Sequence, residues 1–405
     1  MTKTMAGVRV LELAAWTYVP AAGAVLAEWG ADVIKIEHPE GGDPQRGLVT
    51  MGFVPSGPGG INHMIELPNR GKRSVGIDLK TEHGRDILLR IAATSDVFLT
   101  NVRPDALKSL RLDVDDLRAV NPNIIYARGS GQGVRGAEAG KGGFDGSHFW
   151  ARTVAGIFET PVGEFPPTQP GPAWGDLQGG LTIAGGISAA LFHRERTGHA
   201  AVVDNSLMAN GMWAGSASIL ASGLFGIDQM PAMNRYGSPN PIVGTYRTKD
   251  NRFLSLMMLQ ADRWWPDLIA RLGCPELGDD PRFLDATKRR ENVVECIDAL
   301  DAVFATRTLA EWREALADAE GVWAAMETPG ELLTDPQAIA NGYVREVISA
   351  GGTPFRMVPS PLQFDETPPD LTRAPDHGEH TDEVLLELGL SEDELIALKI
   401  EGAVL

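Results

Sequence analysis

The sequence predicts an α/β fold: a parallel sheet flanked by helices, with a second, smaller α+β domain later in the chain. Three observations carry this expectation. Short apolar runs alternate with helical runs over the first 205 residues, the opening strand–helix–strand unit closes in under 35 residues, and the character changes near residue 225. With 405 residues the chain can support one large core or two.

The elements follow in order. Val8–Leu13 reads as a strand, a small-residue helix spans about Pro20–Trp29, and the run ADVIKIE ends a second strand at Glu37. Pro20 suits a first turn, where its missing N–H has no helical partner, and Gly30 supplies the stop. Lys72–Leu79 is strand-like, Thr81 caps a helix reaching Ala93, and Asp96–Thr100 is another short strand. A helix is expected from Ala106 to about Val120, a buried strand at Ile124–Ala127, a helix at Leu181–Glu195 and a strand at 201–204. Beyond residue 225, FLSLMML reads as a strand, with helices near 260–272, 287–305 and 309–319. The tail TDEVLLELGLSEDELIALK has two helical stretches on either side of Gly389.

Composition narrows the function. Basic and acidic side chains sum to 36 − 54 = −18, with a pI near 4.9, which opposes nucleic acid and anionic membrane surfaces as partners. No run reaches the 18 apolar residues of a bilayer span, and the N-terminal stretch meets glutamate before an apolar region forms, so the expected location is cytoplasmic. Cys274 and Cys296 match neither a metal motif nor a disulfide scaffold. No metal is expected, because His193 and His199 lack a ligand pattern and the HGEH stretch at 377–380 lacks a third ligand.

Three stretches could carry chemistry. Gly131–Gly136 fits GxGxxG, but the glycine-rich AEAGKGGFDG that follows is a poor start for a phosphate-binding helix. Between residues 70 and 90, Arg70, Lys72, Arg73, Lys80, Arg85 and Arg90 outnumber Asp78, Glu82 and Asp86, a local excess able to neutralise phosphate or simply to face solvent. In PAWGDLQGG, Asp176 stands in a glycine-flanked turn before a helix, which suits either a helix cap or an accessible nucleophile near backbone donors.

Together, GVRVLEL, GADVIKIEHPEGGDPQRG, NRGKRSVGIDLKTEHGRDILLRI, SDVFLTNVRPDAL, GDLQGG and RAPDHGEHTDEVLLELGLS resemble, in order and spacing, the family III coenzyme A transferases. The resemblance implies a Rossmann-like large domain built from residues 1–205 and 326–405, a linker at 206–230, a small domain at 231–325, and an interlocked homodimer. It implies transfer of coenzyme A (CoA) from an acyl-CoA donor to a carboxylic-acid acceptor, with no tightly bound cofactor, through a thioester on Asp176. An ionised carboxylate needs no base to activate it, and Gly179 and Gly180 are expected in a mobile loop over the intermediate.

For CoA the resemblance points to His38, where some relatives carry arginine, and to Lys72, Arg73, Asn101 and Arg103. Lys108 would compensate for Ser109 at a further arginine position. Thr17, Ser130 and Gln132 replace the glutamine, lysine and tyrosine of the formyl-CoA branch. Phe144, His148, Trp150 and Trp174 are expected around the substrate. The related α-methylacyl-CoA racemases carry histidine where this chain has Phe144, which cannot exchange a proton; a racemase and a non-catalytic CoA-binding scaffold are the alternatives.

Overall fold

A computed structural model describes residues 2–157, 165–228 and 235–405. Six strands form one sheet: β1 (Arg9–Leu13), β2 (Asp32–Glu37), β3 (Arg73–Gly76), β4 (Val97–Thr100), β5 (Ile125–Ser130) and β6 (Val202–Ser206). Every pairing is parallel, in the order β3-β2-β1-β4-β5-β6. This is the Rossmann arrangement, whose strand order reverses between β1 and β4.

Alternation within the strands feeds two cores. Val10, Val33, Val97 and Leu99 face one side, under α1 (Tyr18–Glu28) and α2 (Trp174–Thr197). Leu11, Ile34, Phe98 and Tyr126 face the other, under the Glu82–Ala93 helix and the C-terminal helices. Thr81 caps the Glu82–Ala93 helix as its sequence position suggests, its hydroxyl accepting from Gly84 N. The helix expected over 106–120 is instead two, Pro104–Ser109 and Val114–Val120, parted where Arg111 takes a left-handed φ of 54°.

Helix α2 begins seven residues earlier than the sequence pattern suggested, and this relocates two site candidates. Gly179 and Gly180 are buried helical residues, not a loop, and they bring α2 against α1. A Cβ at Gly180 would stand 2.7 Å from Ala21 Cβ and 3.0 Å from Ala22 N. The small side chains of α1 and these glycines are one device for close helix approach, which outweighs the poor helix propensity of glycine.

The tail returns to the sheet. Leu405 N donates to Gly76 O at 3.1 Å and Thr381 Oγ1 accepts from Gly76 N at 3.0 Å. A separate hairpin pairs β10 (Arg345–Ile348) with β11 (Pro354–Met357). Residues 206–228, expected within a linker, are largely helical, as α3 (Leu207–Ala214) and a helix over Ser216–Phe225.

The chain divides into two compact units, Met1–Met230 with Pro336–Leu405, and Pro231–Asp335. The second has an antiparallel sheet of β7 (Val243–Arg247), β8 (Phe253–Met257) and β9 (Trp323–Ala325). Its core contains Trp265, Phe283, Phe304 and Trp312, together with the buried free thiols Cys274 and Cys296. Among the described residues no helix is long and apolar enough to cross a membrane.

The glycine contact is testable by contrast. Gly180→Val should destabilise the protein by about 2 kcal/mol or more through overpacking. Gly185→Ala, with open space around it, should stabilise by up to about 1 kcal/mol. Chemical denaturation of both variants reads the difference.

Candidate active site

An open α/β sheet leaves a crevice where strand order reverses, beyond the carboxyl ends of the strands. Here a cavity of about 390 Å³ occupies that position. The segment after β1 supplies Ala15, Trp16 and Tyr18, the segment after β4 supplies Asn101 to Pro104, and β5 supplies Gly129 to Gly131. Asp176 from the first turn of α2, Leu207 of α3, and Lys141 and Phe144 from the segment before α2 add to the working surface.

The start of α2 has an unusual cap. Ala173, at φ 64°, offers no side-chain acceptor to the first helical N–H groups. Asp145, thirty residues upstream, does so: its Oδ1 accepts from Gly175 N at 3.0 Å and its Oδ2 accepts from Gln169 Nε2 at 2.5 Å. Gly175 is required for this approach, since a Cβ there would lie 2.6 Å from Asp145 Oδ1 and 2.1 Å from Phe149 Cγ. The cap therefore places two carboxylates at one helix end.

Their proximity tunes Asp176. Burial pushes its pKa up to about 7, and the charge of Asp145 adds to the rise. Burial also raises Asp145, against the pull of its hydrogen bonds. Asp176 is thus more basic than an ordinary aspartate and becomes an anion near neutrality, in the first turn of a 24-residue helix.

The apolar wall is aromatic. Trp16 meets Phe144 edge to face, with ring centroids 5.8 Å apart. Trp16 takes a φ of 68°, and its N–H donates to Asp43 Oδ1 at 3.1 Å. Asp43 pairs in turn with the fully buried Lys35 at 2.9 Å, and Lys35 Nζ donates to Ala14 O at 2.7 Å. A buried ion network thereby fixes the loop that forms this wall.

Of the residues singled out in the sequence, Asp176, Asn101, Arg103, Ser130 and Phe144 line the cavity. Asn101 is engaged at both ends of its amide, accepting from Ala15 N at 3.1 Å and donating to Ala15 O at 2.7 Å. It ties the β1 and β4 loops together across the crevice. Ser130 Oγ accepts from Gly133 N, and Gln132 Nε2 donates to Glu138 O and Lys141 O, so these two shape the glycine-rich loop. No helix follows Gly136 directly, the next helical turns beginning at Asp145, which fits the poor dinucleotide signature.

Other candidates lie elsewhere. Thr17 is buried, its hydroxyl on Gln45 Oε1; Lys108 is exposed on the Pro104–Ser109 helix, away from the cavity. His38 stands exposed after β2, with its carbonyl accepting from His377 Nε2 at 2.8 Å when that nitrogen is protonated. His148 sits behind Gly143, with Nδ1 2.8 Å from Ser147 Oγ. Trp150 and Trp174 pack together beside the start of α2, ring centroids 5.6 Å apart, rather than lining the cavity.

The basic run of residues 70–90 is largely consumed internally. Lys72 is fully buried, with Nζ 2.7 Å from Glu12 Oε2, and burial holds its ammonium well below the ordinary lysine range, to about 7. Arg73 lies at the amino end of β3, opposite the crevice, bound to Asp32, Glu383 and Glu387. Arg70 pairs with buried Glu28, while Arg85 and Arg90 donate to carbonyls of Leu110, Arg111 and Leu388. Lys72 and Arg73 are therefore structural cations here. Asp145, Trp16 and Tyr18 carry no site motif in the sequence, and Trp16 reads there as a core or interface residue, although the latter two follow β1 at the switch point.

The family model for CoA-transferase family III matches residues 5–381. The chain is 33% identical to a cinnamoyl-CoA:phenyllactate CoA-transferase of Clostridium sporogenes, covering 98% of this chain and 96% of that protein. It is 30% identical to an (R)-2-hydroxy-4-methylpentanoate CoA-transferase of Clostridioides difficile, covering 96% of both. Its fold matches the crystal structure of a CAIB/BAIF family protein from Brucella suis with a TM-score of 0.81 at 27% identity, over 96% of this chain and 100% of that one.

The electrostatics yield a stability test. A carboxylate whose folded pKa is raised costs nothing below its unfolded value near 4, and its full penalty is present above about 7. Asp176→Asn should therefore gain stability over the native protein as pH rises from 5 to 8, by on the order of 2 kcal/mol after allowing for partial exposure. In an Asp145→Asn background that gain should be smaller and complete at lower pH, as denaturation at several pH values would show.

Proposed function

The chain belongs to CoA-transferase family III, and from that premise we propose that it moves CoA between an acyl-CoA and a free carboxylic acid through a thioester on Asp176. The observation that carries this reading is the accessible, basic carboxylate of Asp176 in the cavity at the switch point. Its oxygen attacks the donor acyl carbon, and CoA thiolate leaves, forming an acyl–aspartyl anhydride. The thiolate attacks the aspartyl carbon, releasing donor acid and forming the thioester. Acceptor carboxylate displaces the thiolate from that carbon, and the thiolate then attacks the acceptor carbonyl, giving new acyl-CoA and free Asp176.

Position and environment supply the acceleration. A nucleophile that ionises near pH 7 is a better attacking group than an ordinary aspartate and is charged in a substantial fraction of molecules at neutrality. The partly apolar cavity strengthens any hydrogen bond to the developing oxyanion. Arg103 and Lys141, which line the cavity, are placed to meet anionic parts of the substrates.

The wall of Trp16 and Phe144, with Val102 and Leu207, suits an acid with an aromatic or branched apolar chain. The names of the two clostridial relatives, with phenyllactate and 4-methylpentanoate groups, support that substrate class. Phe144 has no exchangeable proton, which favours transfer over racemisation.

We further propose an interlocked homodimer in the cytoplasm. Support comes from the exposed apolar side chains of Trp213, Leu220, Leu224 and Phe225, a surface suited to a second copy.

Incubation with a panel of acyl-CoAs and free acids, read by mass spectrometry, should show thioester exchange favouring arylalkyl and branched acids over formate and oxalate. Asp176→Asn should lose more than about a thousandfold in rate. Exchange of the α proton without an acceptor would indicate racemase chemistry instead. The rate should fall as pH drops through about 7, and Asp145→Asn should move that limb to lower pH. Light scattering should report twice the 43.5 kDa chain mass.

A further inference from the structure

Tyr18 is the first residue of α1 and lies in the cavity wall with Asp176. Its ring is held from two sides by glycines: a Cβ at Gly129 would stand 2.8 Å from Cε1, and one at Gly179 would stand 2.4 Å from Cε2. Any larger residue at either position would displace the ring. Tyr18 is 6% exposed, yet its hydroxyl proton has no acceptor among the described residues.

A buried amide lies beside it. Asn210 Nδ2, on α3, is buried and directed to the Tyr18 oxygen. The same missing Cβ of Gly179 that admits the tyrosine ring would stand 2.8 Å from this amide nitrogen. Both groups thus converge on Gly179, three residues along α2 from Asp176 and so on the neighbouring surface of the helix. A buried hydroxyl proton without an acceptor is costly unless something uses it.

We propose that the Tyr18 hydroxyl is a catalytic hydrogen-bond donor to the carbonyl oxygen attacked by, or formed on, Asp176, with the Asn210 amide behind it fixing its direction. The inference rests on Asp176 being the nucleophile. Burial, and then the charge of Asp176, hold the phenol above its ordinary pKa, so it keeps its proton and can donate it in a hydrogen bond while its oxygen faces Asn210. The O–H bond stays intact: charge grows on the carbonyl oxygen as the tetrahedral centre forms, and the hydrogen bond strengthens with it. An anhydride and a thioester on one aspartate need the same service, so one donor beside that carboxylate serves each step.

Tyr18→Phe removes one oxygen and keeps the ring between its glycines. Exchange assayed with an acyl-CoA and acid that the native enzyme uses should show kcat lower by roughly 10²- to 10³-fold, with KM values changed less than about threefold. Because the hydroxyl proton has no acceptor to lose, Tm should be little changed. Activity within about threefold of native overturns the proposal, as does a rise in KM at constant kcat. A rate loss accompanied by a lower Tm overturns it too, since that marks a structural hydroxyl. Asp176→Asn measured alongside separates the two readings: an active Asp176→Asn refutes the nucleophile, whereas an inert Asp176→Asn with a normal Tyr18→Phe refutes only the phenol's role.

Discussion

The carboxylate of Asp145 on the N–H groups at the start of α2 is the contact on which the rest of the site depends. Helix α2 has no acceptor of its own at that end, because Ala173 holds the capping position. A remote aspartate in that place fixes the first turn, and with it the direction of Asp176. It also sets a like charge beside Asp176, which makes that side chain more basic. One interaction thus couples the geometry of the helix end to its chemistry. Breaking a buried, charge-assisted contact of this kind costs about 1.5–3 kcal/mol, enough to loosen a first turn.

Below the crevice a second constraint holds the floor. Glu12, Lys35, Asp43 and Lys72 lie buried around the end of β1, and Lys72 Nζ also donates to Pro20 O at 2.9 Å. Burying such charges is expensive, and the cost is offset only when each charge has partners. The partners here include backbone groups of Ala14, Trp16 and Pro20, so the network determines the path of the chain between β1 and α1. The aromatic wall of the cavity is a consequence of that path.

Much of this was legible in the sequence, for identifiable reasons. The strands are apolar runs and the Glu82–Ala93 helix carries its own cap, so local chemistry decides them. Gly179 and Gly180 were misplaced because helical glycine is locally unfavourable, and its justification, the backbone of α1, lies some 160 residues away in sequence. The basic run at 70–90 looked free because its acids, Glu12, Glu28, Asp32, Glu383 and Glu387, are distant in the chain. Asp145 was invisible as a cap for the same reason. Asp176 could be located from its motif, whereas its basicity comes from burial and then from the charge of Asp145, which only folding supplies.

The central claim is that CoA becomes bound covalently to one carboxylate. The most direct measurement is borohydride reduction of enzyme mixed with an acyl-CoA, followed by peptide mapping. Reduction of an aspartyl thioester yields homoserine, and the account predicts that residue at position 176 only when acyl-CoA is present. Unmodified Asp176 in enzyme that is turning over, or homoserine at another aspartate, would contradict it.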